Sequence, residues 1–275
     1  MPTPESPPNA LHRDFLMAAA AAPIGAAAAV ATPGTPASPG LSDTSAQVSH
    51  HRVHASIERP APEMVARFRR IVREVVTEHL GKSQIMDPAI RALVGRPWDI
   101  VGPAVTVDLD SFDHLMCIAA LGVARRGDVI VVAAHGHTGQ AVWGSGLTTS
   151  ARNIGIEAVV VDGAVLNTNI ILQREVPVFC RASHPAHGSR EKPGSVNVPV
   201  SCGGVIVQPG DLVLGDLDGI IVVPRADAEQ IAVACEERTA RVLKNREAML
   251  GPGKTFFELA GGRATIERAG VQWIK

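Results

Sequence analysis

Tyrosine is absent from the 275 residues, and only six phenylalanines and three tryptophans are present. Stacking platforms for single-stranded RNA or DNA are built from aromatic faces, so little is available for that mode of binding. An excess of one charge is lacking too. Lys and Arg total 26 against 27 for Asp and Glu, a net charge of −1. A surface that holds nucleic acid by bulk positive charge is therefore not expected. The four cysteines, Cys117, Cys180, Cys202 and Cys235, include no C-x-x-C pair. That spacing speaks against a zinc knot or a dithiol redox motif. Most sit in apolar runs ("LMCIAAL", "VPVFCRA", "IAVACEE") and read as buried thiols, with Cys202 in "VSCGGV" nearest a turn. No strong hydrophobic run is present either. The best, Phe15 to Val30, is dominated by Ala and interrupted by Pro23 and Gly25. It is too weakly apolar for stable membrane insertion.

What is present supports a folded protein. Hydrophobic residues make up 46% and charged residues 19%, enough for a substantial core in one large domain or two small ones. Residues 1–50 stand apart, rich in Ala, Pro, Ser and Thr. The stretch "HRDFL" resembles the Arg-Arg-x-Phe-Leu pattern of a twin-arginine export signal, with His12 in place of the first Arg. "AVA" at residues 29–31 offers a small-x-small cleavage site. Residues 1–31 are thus expected to be a twin-arginine-like leader to the periplasm; the alternative is an unstructured tail on a cytoplasmic protein. Residues 32–50 read as a flexible linker, and 51–275 as the folded domain.

From residue 51 helices and strands alternate. "APEMVARFRRIVREVVTEHLG" places Met64, Val65, Phe68, Ile71, Val72, Val75 and Val76 at helical spacing, stopped by Gly81. "IVGPAVTVDL", "DVIVVAA" and "EAVVVDG" read as strands. "FDHLMCIAALGVARRG" and "QAVWGSGLTTSARNIG" read as helices, the second with a start loosened by glycine. Beyond Val176, short strands parted by Gly and Pro suggest hairpins. A closing helix follows from Ala226 to about Leu250, with Ile231, Val233, Ala234 and Val242 on one side. The expectation is one layered α/β domain.

Several stretches, taken in order, resemble the RraA-like family: "IMDPAIRAL", "GPAVTV", "DHLM", "RRGDVIVV", "AVWG", "VVVDGAV", "VPVF", "GSVNVPVSCGGVIVQPGDLVLGDLDGIIVVPR" and "IERAGVQWI". That family includes class II pyruvate aldolases acting on 4-hydroxy-4-methyl-2-oxoglutarate and 4-carboxy-4-hydroxy-2-oxoadipate, and the regulator of RNase E. The "DHLM" segment and the extended C-terminal helix are closer to the aldolases. The resemblance implies an αββα sandwich, assembled as a homotrimer or as a hexamer of trimers with sites between subunits.

It also implies a site. Cleaving a 4-hydroxy-2-oxo acid leaves a pyruvate enolate that must be stabilised as it forms. In the aldolases a divalent cation and an Arg do this, while N–H groups at a helix start hold the carboxylate. The family's Gly-(Asp/Glu)-Leu-Leu corresponds to Gly144, Ser145, Gly146 and Leu147. Its Asp-Gly-Ala-Val-Arg-Asp corresponds to residues 162–167, which puts Leu166 at the Arg and Asn167 at the metal Asp. Three charged side chains are thus replaced. Losing one oriented donor to a developing oxyanion costs roughly 10²- to 10³-fold in rate. Asn167 could still offer a neutral oxygen to Mg²⁺ or another divalent metal.

The remaining candidates carry structural alternatives. Glu78 matches a family Glu that reaches a neighbouring subunit's site, and Asp113 and His114 match an Asp-Asn pair beside the pocket; capping would explain each as well. His135 and His137, two apart at a strand end, and His184 and His187, three apart on a loop, have spacings found in metal sites, or are solvated loop histidines. His137 is a candidate acid or base. Asp216, Asp218 and Gly219 read as turn chemistry, and Arg181 and Asn197 as possible cavity lining. The expected ligand is a small carboxylated metabolite. Three readings stay open: a divergent lyase working through an enol-like state, a non-catalytic trimeric binding or regulatory protein, and a weakened Mg²⁺-dependent aldolase.

Overall fold

Strands covered on both faces read as near-continuous apolar runs, and two segments fit, the second interrupted by Asp162 and Gly163. In the computed structural model, β3 (Val129–Ala133) and β5 (Ala158–Val165) are buried throughout. The structure describes residues 50–274 apart from 94, 95, 111, 250 and 254. The leader, and the linker up to residue 49, lie outside the described residues.

The chain enters through α1 (Pro62–Phe68), α2 (Arg73–Leu80), the short β1 (Arg91–Ala92), β2 (Ile100–Asp108) and α3 (Leu115–Val123). After β3 come β4 (Ala141–Trp143), α4 (Ser145–Ile154), β5, α5 (Thr168–Ile171) and β6 (Val178–Ser183). Then follow β7 (Ser195–Val196), the hairpin β8 (Val200–Cys202) and β9 (Val205–Val207), and the hairpin β10 (Leu212–Gly215) and β11 (Ile220–Val223). The C-terminal helices are α6 (Ala228–Met249), α7 (Phe256–Leu259) and α8 (Gly262–Arg268).

The main sheet runs in the order β1-β6-β5-β3-β2-β10-β11, with β4 against β5 and β7 against β2. β2, β3, β5 and β6 are mutually parallel, so helices must carry the chain back between them. Side chains alternate across β3. Ile130 and Val132 join Cys117 of α3 and Ala151 of α4, while Val129 and Val131 meet Val205 and Val213 from the other side. The outer face of β10–β11 (Leu212, Leu214, Val223) packs on Phe68, Val75, Val76 and Ile231 of α1, α2 and α6. Helices thus cover both outsides of two facing sheet layers, the αββα arrangement expected.

Four expectations are corrected in detail. The single helix over 61–81 is two helices, broken before Val72, whose backbone is extended. The Arg73 guanidinium donates to the freed carbonyls of Phe68 (2.9 Å) and Ile71 (3.2 Å), and the Val72 N–H donates to Thr239 Oγ1 (3.3 Å). The start of "QAVWGSG" is strand β4, and the helix begins only at Ser145. β6 is no hairpin partner but lies parallel to β5. On α6 the buried stripe is Ile231, Ala232, Cys235 and Thr239, whereas Val233 and Ala234 face out.

Close backbone approach makes one glycine indispensable. Gly188 is buried in the loop before β7, its N–H donating to Ala141 O (2.8 Å), and a Cβ there would overlap the Phe112 carbonyl oxygen. By contrast, a Cβ on Gly146, in the first turn of α4, meets open space. Gly188→Ala is therefore expected to destabilise the protein by roughly 2 kcal/mol or more. Gly146→Ala should leave stability unchanged or raise it by up to about 1 kcal/mol. Urea unfolding of the two variants checks the contrast.

Candidate functional site

Parallel strands deliver their carboxyl ends to one edge, where α/β folds form ligand crevices. Here β4 and β5 end beside the starts of α3 and α4, enclosing a cleft of about 330 Å³. Its walls include Gly144, Ser145, Gly146, Leu147, Leu166, Asn167 and His114, so the structure brings together the sequence candidates from the two aligned motifs.

The start of α4 is held by a short relay. The Trp143 indole N–H donates to Thr148 Oγ1 (2.9 Å), and the Thr148 hydroxyl donates to Gly144 O (3.0 Å). The Thr148 N–H is the first to bond back along the helix, also to Gly144 O. The N–H groups of Ser145, Gly146 and Leu147 precede it, no side chain caps them, and the first turn holds no acid. They form the positive end of the helix dipole at the cleft mouth.

Leu166 lies close over this turn: a Cβ on Gly144 would come within 2.7 Å of Leu166 Cδ2. Asn167 adopts a left-handed conformation (φ 57°, ψ 42°) at the start of α5, which Asn tolerates better than most residues. Its Nδ2 donates to Ser145 Oγ at 3.3 Å.

Residues that the sequence did not single out for this cleft also line it: Trp143 on the α4 side, and Ile118 and Arg190 on the other wall, with His187 joining from the loop. His187 Nδ1 donates to Gly188 O (2.9 Å), and its Nε2 has no hydrogen-bond partner among the described residues. His114 is half-buried. Burial first, then the Arg190 charge, holds its imidazole below the ordinary value despite Asp113 nearby. Its Nδ1 is buried without a hydrogen-bond partner among the described residues.

Asp113 itself is buried and saturated. Oδ1 accepts from Leu115 N (2.7 Å), and Oδ2 from the Ser189 hydroxyl (2.6 Å), Glu191 N (2.7 Å) and Lys192 N (3.0 Å). Burial alone would push this carboxyl up, but those bonds together hold it down at about 2.

Other sequence candidates lie elsewhere. Glu78 is exposed on α2 and pairs with Arg238 of α6 (3.3 Å), away from this cleft of its own chain. His137 is exposed with its ring 5.1 Å from that of Phe112, and it does not line the cleft. His135 turns instead to Leu109 O (3.1 Å) and Asp108 (3.2 Å). His184 lines an adjoining groove with Asn167, so neither histidine pair converges. Arg181 is no cavity residue: it bonds the buried Asp162 and Asp87 (2.7 Å), while Asp162 also accepts from Gly203 N (2.8 Å). Asn197 donates to His54 O (2.7 Å) in a separate cleft. Asp216 Oδ1 accepts from Asp218 N (2.8 Å), the turn chemistry expected. All four cysteines are buried, and burial pushes each thiol up, Cys180 to about 11.

A divalent cation, which the family resemblance implies, calls for anionic oxygens. The polar side chains around this cleft are Ser145, Asn167, His114, His187 and Arg190, none of them a carboxylate. No group of three or more His, Cys, Asp or Glu residues gathers as a metal site among the described residues. Within one chain this donor set does not fit a hard cation; it fits an anion. A larger cavity, about 610 Å³ beside α2, is rich in arginine. Its Arg69, Arg73 and Arg246 are paired with Glu157, Asp99 and Glu74.

Layering and site together define a class: an αββα protein with a small-ligand cleft at the carboxyl ends of parallel strands. The chain belongs to the RraA-like family; the family profile, described as Aldolase/RraA, matches residues 38–222. A Halalkalibacterium halodurans protein provisionally named a 4-hydroxy-4-methyl-2-oxoglutarate aldolase is 34% identical over 178 residues, 65% of this chain and 84% of its own. A Pseudomonas aeruginosa (strain LESB58) protein with the same provisional name is 38% identical over 143 residues, 52% of this chain and 87% of its own. Streptomyces coelicolor RraAS2, an unusual member of the RNase ES inhibitor RraA protein family, has a similar structure with a TM-score of 0.62 at 29% identity. That likeness covers 70% of this chain and 99% of RraAS2.

The Asp113 clamp has a pH signature. Its folded carboxyl titrates below its ordinary value of 3.8, so its stabilisation is complete above that pH and is lost as pH falls toward about 2. Asp113→Asn is expected to lower stability at pH 7 and to flatten the acid limb of the stability–pH curve across that window. Chemical unfolding between pH 2 and 7 measures both.

Proposed function

We propose that the cleft receives the carboxylate of a small oxo- or hydroxy-acid, and that the protein is a divergent aldolase-like lyase. The carrying observation is the uncapped start of α4, three N–H groups opening on a cleft whose side chains include no carboxylate. An acid carboxylate seated there places its C2 oxygen towards the cationic wall. When the C3–C4 bond of a 4-hydroxy-2-oxo acid breaks, its electron pair moves onto that oxygen as an enolate. Oriented donors then lower the barrier. The His187 Nε2 is free to take the hydroxyl proton and return it to the enolate carbon. Decarboxylation or isomerisation through the same enol-like state would use the same parts.

Two features favour a second reading, a non-catalytic binding or regulatory module: Leu166 cannot act as a donor, and Asn167 brings no charge. The third reading, a weakened Mg²⁺-dependent aldolase, would need a cation held without a carboxylate from this chain's cleft. In each case we infer a homotrimer or hexamer. The exposed Phe256, Phe257, Trp273 and Ile274 near the C-terminus support further packing. No helix among the described residues is long and apolar enough to cross a membrane. For location, the leader supports export, with the cytoplasm as the alternative.

Pyruvate release from the monoacid 4-hydroxy-2-oxopentanoate and from the diacids 4-hydroxy-4-methyl-2-oxoglutarate and oxaloacetate, with and without Mg²⁺, separates the readings. Native turnover without Mg²⁺ is expected for the lyase. Acid binding with no turnover would favour the binding module, and turnover only with Mg²⁺ would favour the third reading. A Leu166→Arg/Asn167→Asp variant run in parallel is expected to gain Mg²⁺-dependent activity. Ser145→Pro gives a cleaner probe of the anion seat. Gly144 is already extended and Pro suits a first helical position, so folding is expected to be unaffected. One donor is lost, so pyruvate affinity by calorimetry should fall about tenfold.

A further inference from the structure

We propose that Arg190 selects the ligand of this cleft, with Asp113 as its positioning residue, and that the ligand is an acid with one carboxylate and an apolar substituent. This rests on the carboxylate reading above and names its substrate class. Arg190 lines the cleft with His114 and Leu166, and no ion pair or hydrogen bond holds its side chain among the described residues. Its charge is felt at the His114 ring. The backbone around it is fixed. Ser189 O accepts from His114 N (2.9 Å), the Ser189 N–H donates to Phe112 O (3.0 Å), and Asp113 Oδ2 gathers Ser189, Glu191 and Lys192. Residues on both sides of Arg190 are therefore pinned, and its side chain alone is left to meet a ligand.

The Arg190 side chain is exposed on this pinned backbone and lines the same cleft as the start of α4, so one small oxo-acid can meet both the guanidinium and the N–H groups. The rest of the cleft offers no second permanent cation. Leu166, Ile118, Leu147 and Trp143 make much of it apolar. A second carboxylate would lose its water there without a partner, at substantial cost. A branched alkyl group would gain from the same surface.

Calorimetry on the full chain with 2-oxoisovalerate, pyruvate and oxaloacetate tests the idea. The expected order is 2-oxoisovalerate tightest and oxaloacetate weakest. Arg190→Ala should weaken 2-oxoisovalerate by about 10- to 100-fold, and Arg190→Lys should recover part of that loss. Leu166→Arg should turn the preference towards oxaloacetate. Asp113→Asn should weaken binding on its own, yet add nothing to Arg190→Ala in the double variant, as expected of a residue that acts through Arg190. Native-like binding by Arg190→Ala, or a native preference for oxaloacetate, would overturn the proposal while leaving the carboxylate reading intact. Should the native chain bind none of the three acids, both fall together.

Discussion

A single buried carboxylate organises the cationic side of the cleft. Asp113 accepts from one N–H at the start of α3 and from a hydroxyl and two N–H groups of the loop at residues 189–192. These partners lie up to 79 residues from Asp113 in sequence. Satisfying a buried charge with four donors makes the ionised form the stable one and makes each donor costly to remove. With its acceptors occupied, Asp113 has little left to offer a metal or a substrate. What it does is hold in place a loop that brings His187 and Arg190 to face α4.

Both sides depend on close contact. Gly188 lets that loop lie against the Phe112 carbonyl, and Gly144 lets Leu166 settle over the first turn of α4. The Trp143–Thr148–Gly144 relay fixes the turn without placing any side chain over its N–H groups. The result is a small cleft with backbone donors on one wall and the Arg190 guanidinium with two histidines on the other. Rigid, prearranged donors are what an anion-stabilising site requires, since they need not reorganise as charge develops.

Much of this was legible in the residues. The apolar runs of β3 and β5 read as strands, and the two aligned motifs located one wall of the cleft. The breaks were harder to see. Nothing in "RFRRIVREV" tells a continuous helix from two, because the break is stabilised by Arg73 reaching back and by Thr239 arriving from α6. "AVW" became a strand because β5 offered it a parallel partner. Arg190 sits in a Ser-Arg-Glu-Lys loop with no periodicity, and only the long-range bonds to Asp113 give it a place. The histidine pairs failed in the other direction. Spacing suggested convergence, but the left-handed turn at His135 sends its ring toward Asp108, and the loop divides His184 from His187.

Leu166 and Asn167, which the family resemblance sets against an Arg and an Asp, are best weighed against the whole field of the cleft. Removing an arginine from the floor would leave a bound anion poorly compensated if nothing else carried charge. Here a guanidinium on the facing loop keeps the cleft positive, and the leucine that replaces the floor residue turns that floor apolar. Asn167 fits the left-handed backbone at its position and leaves no negative charge to repel an incoming carboxylate. Together the changes move positive charge from floor to wall and remove the anionic handle for a cation. On the reading proposed above, such a cleft suits an acid whose carboxylate seats at the start of α4, with Arg190 facing it and its carbon skeleton on Leu166. Any enolate formed within it must rely on hydrogen-bond donors.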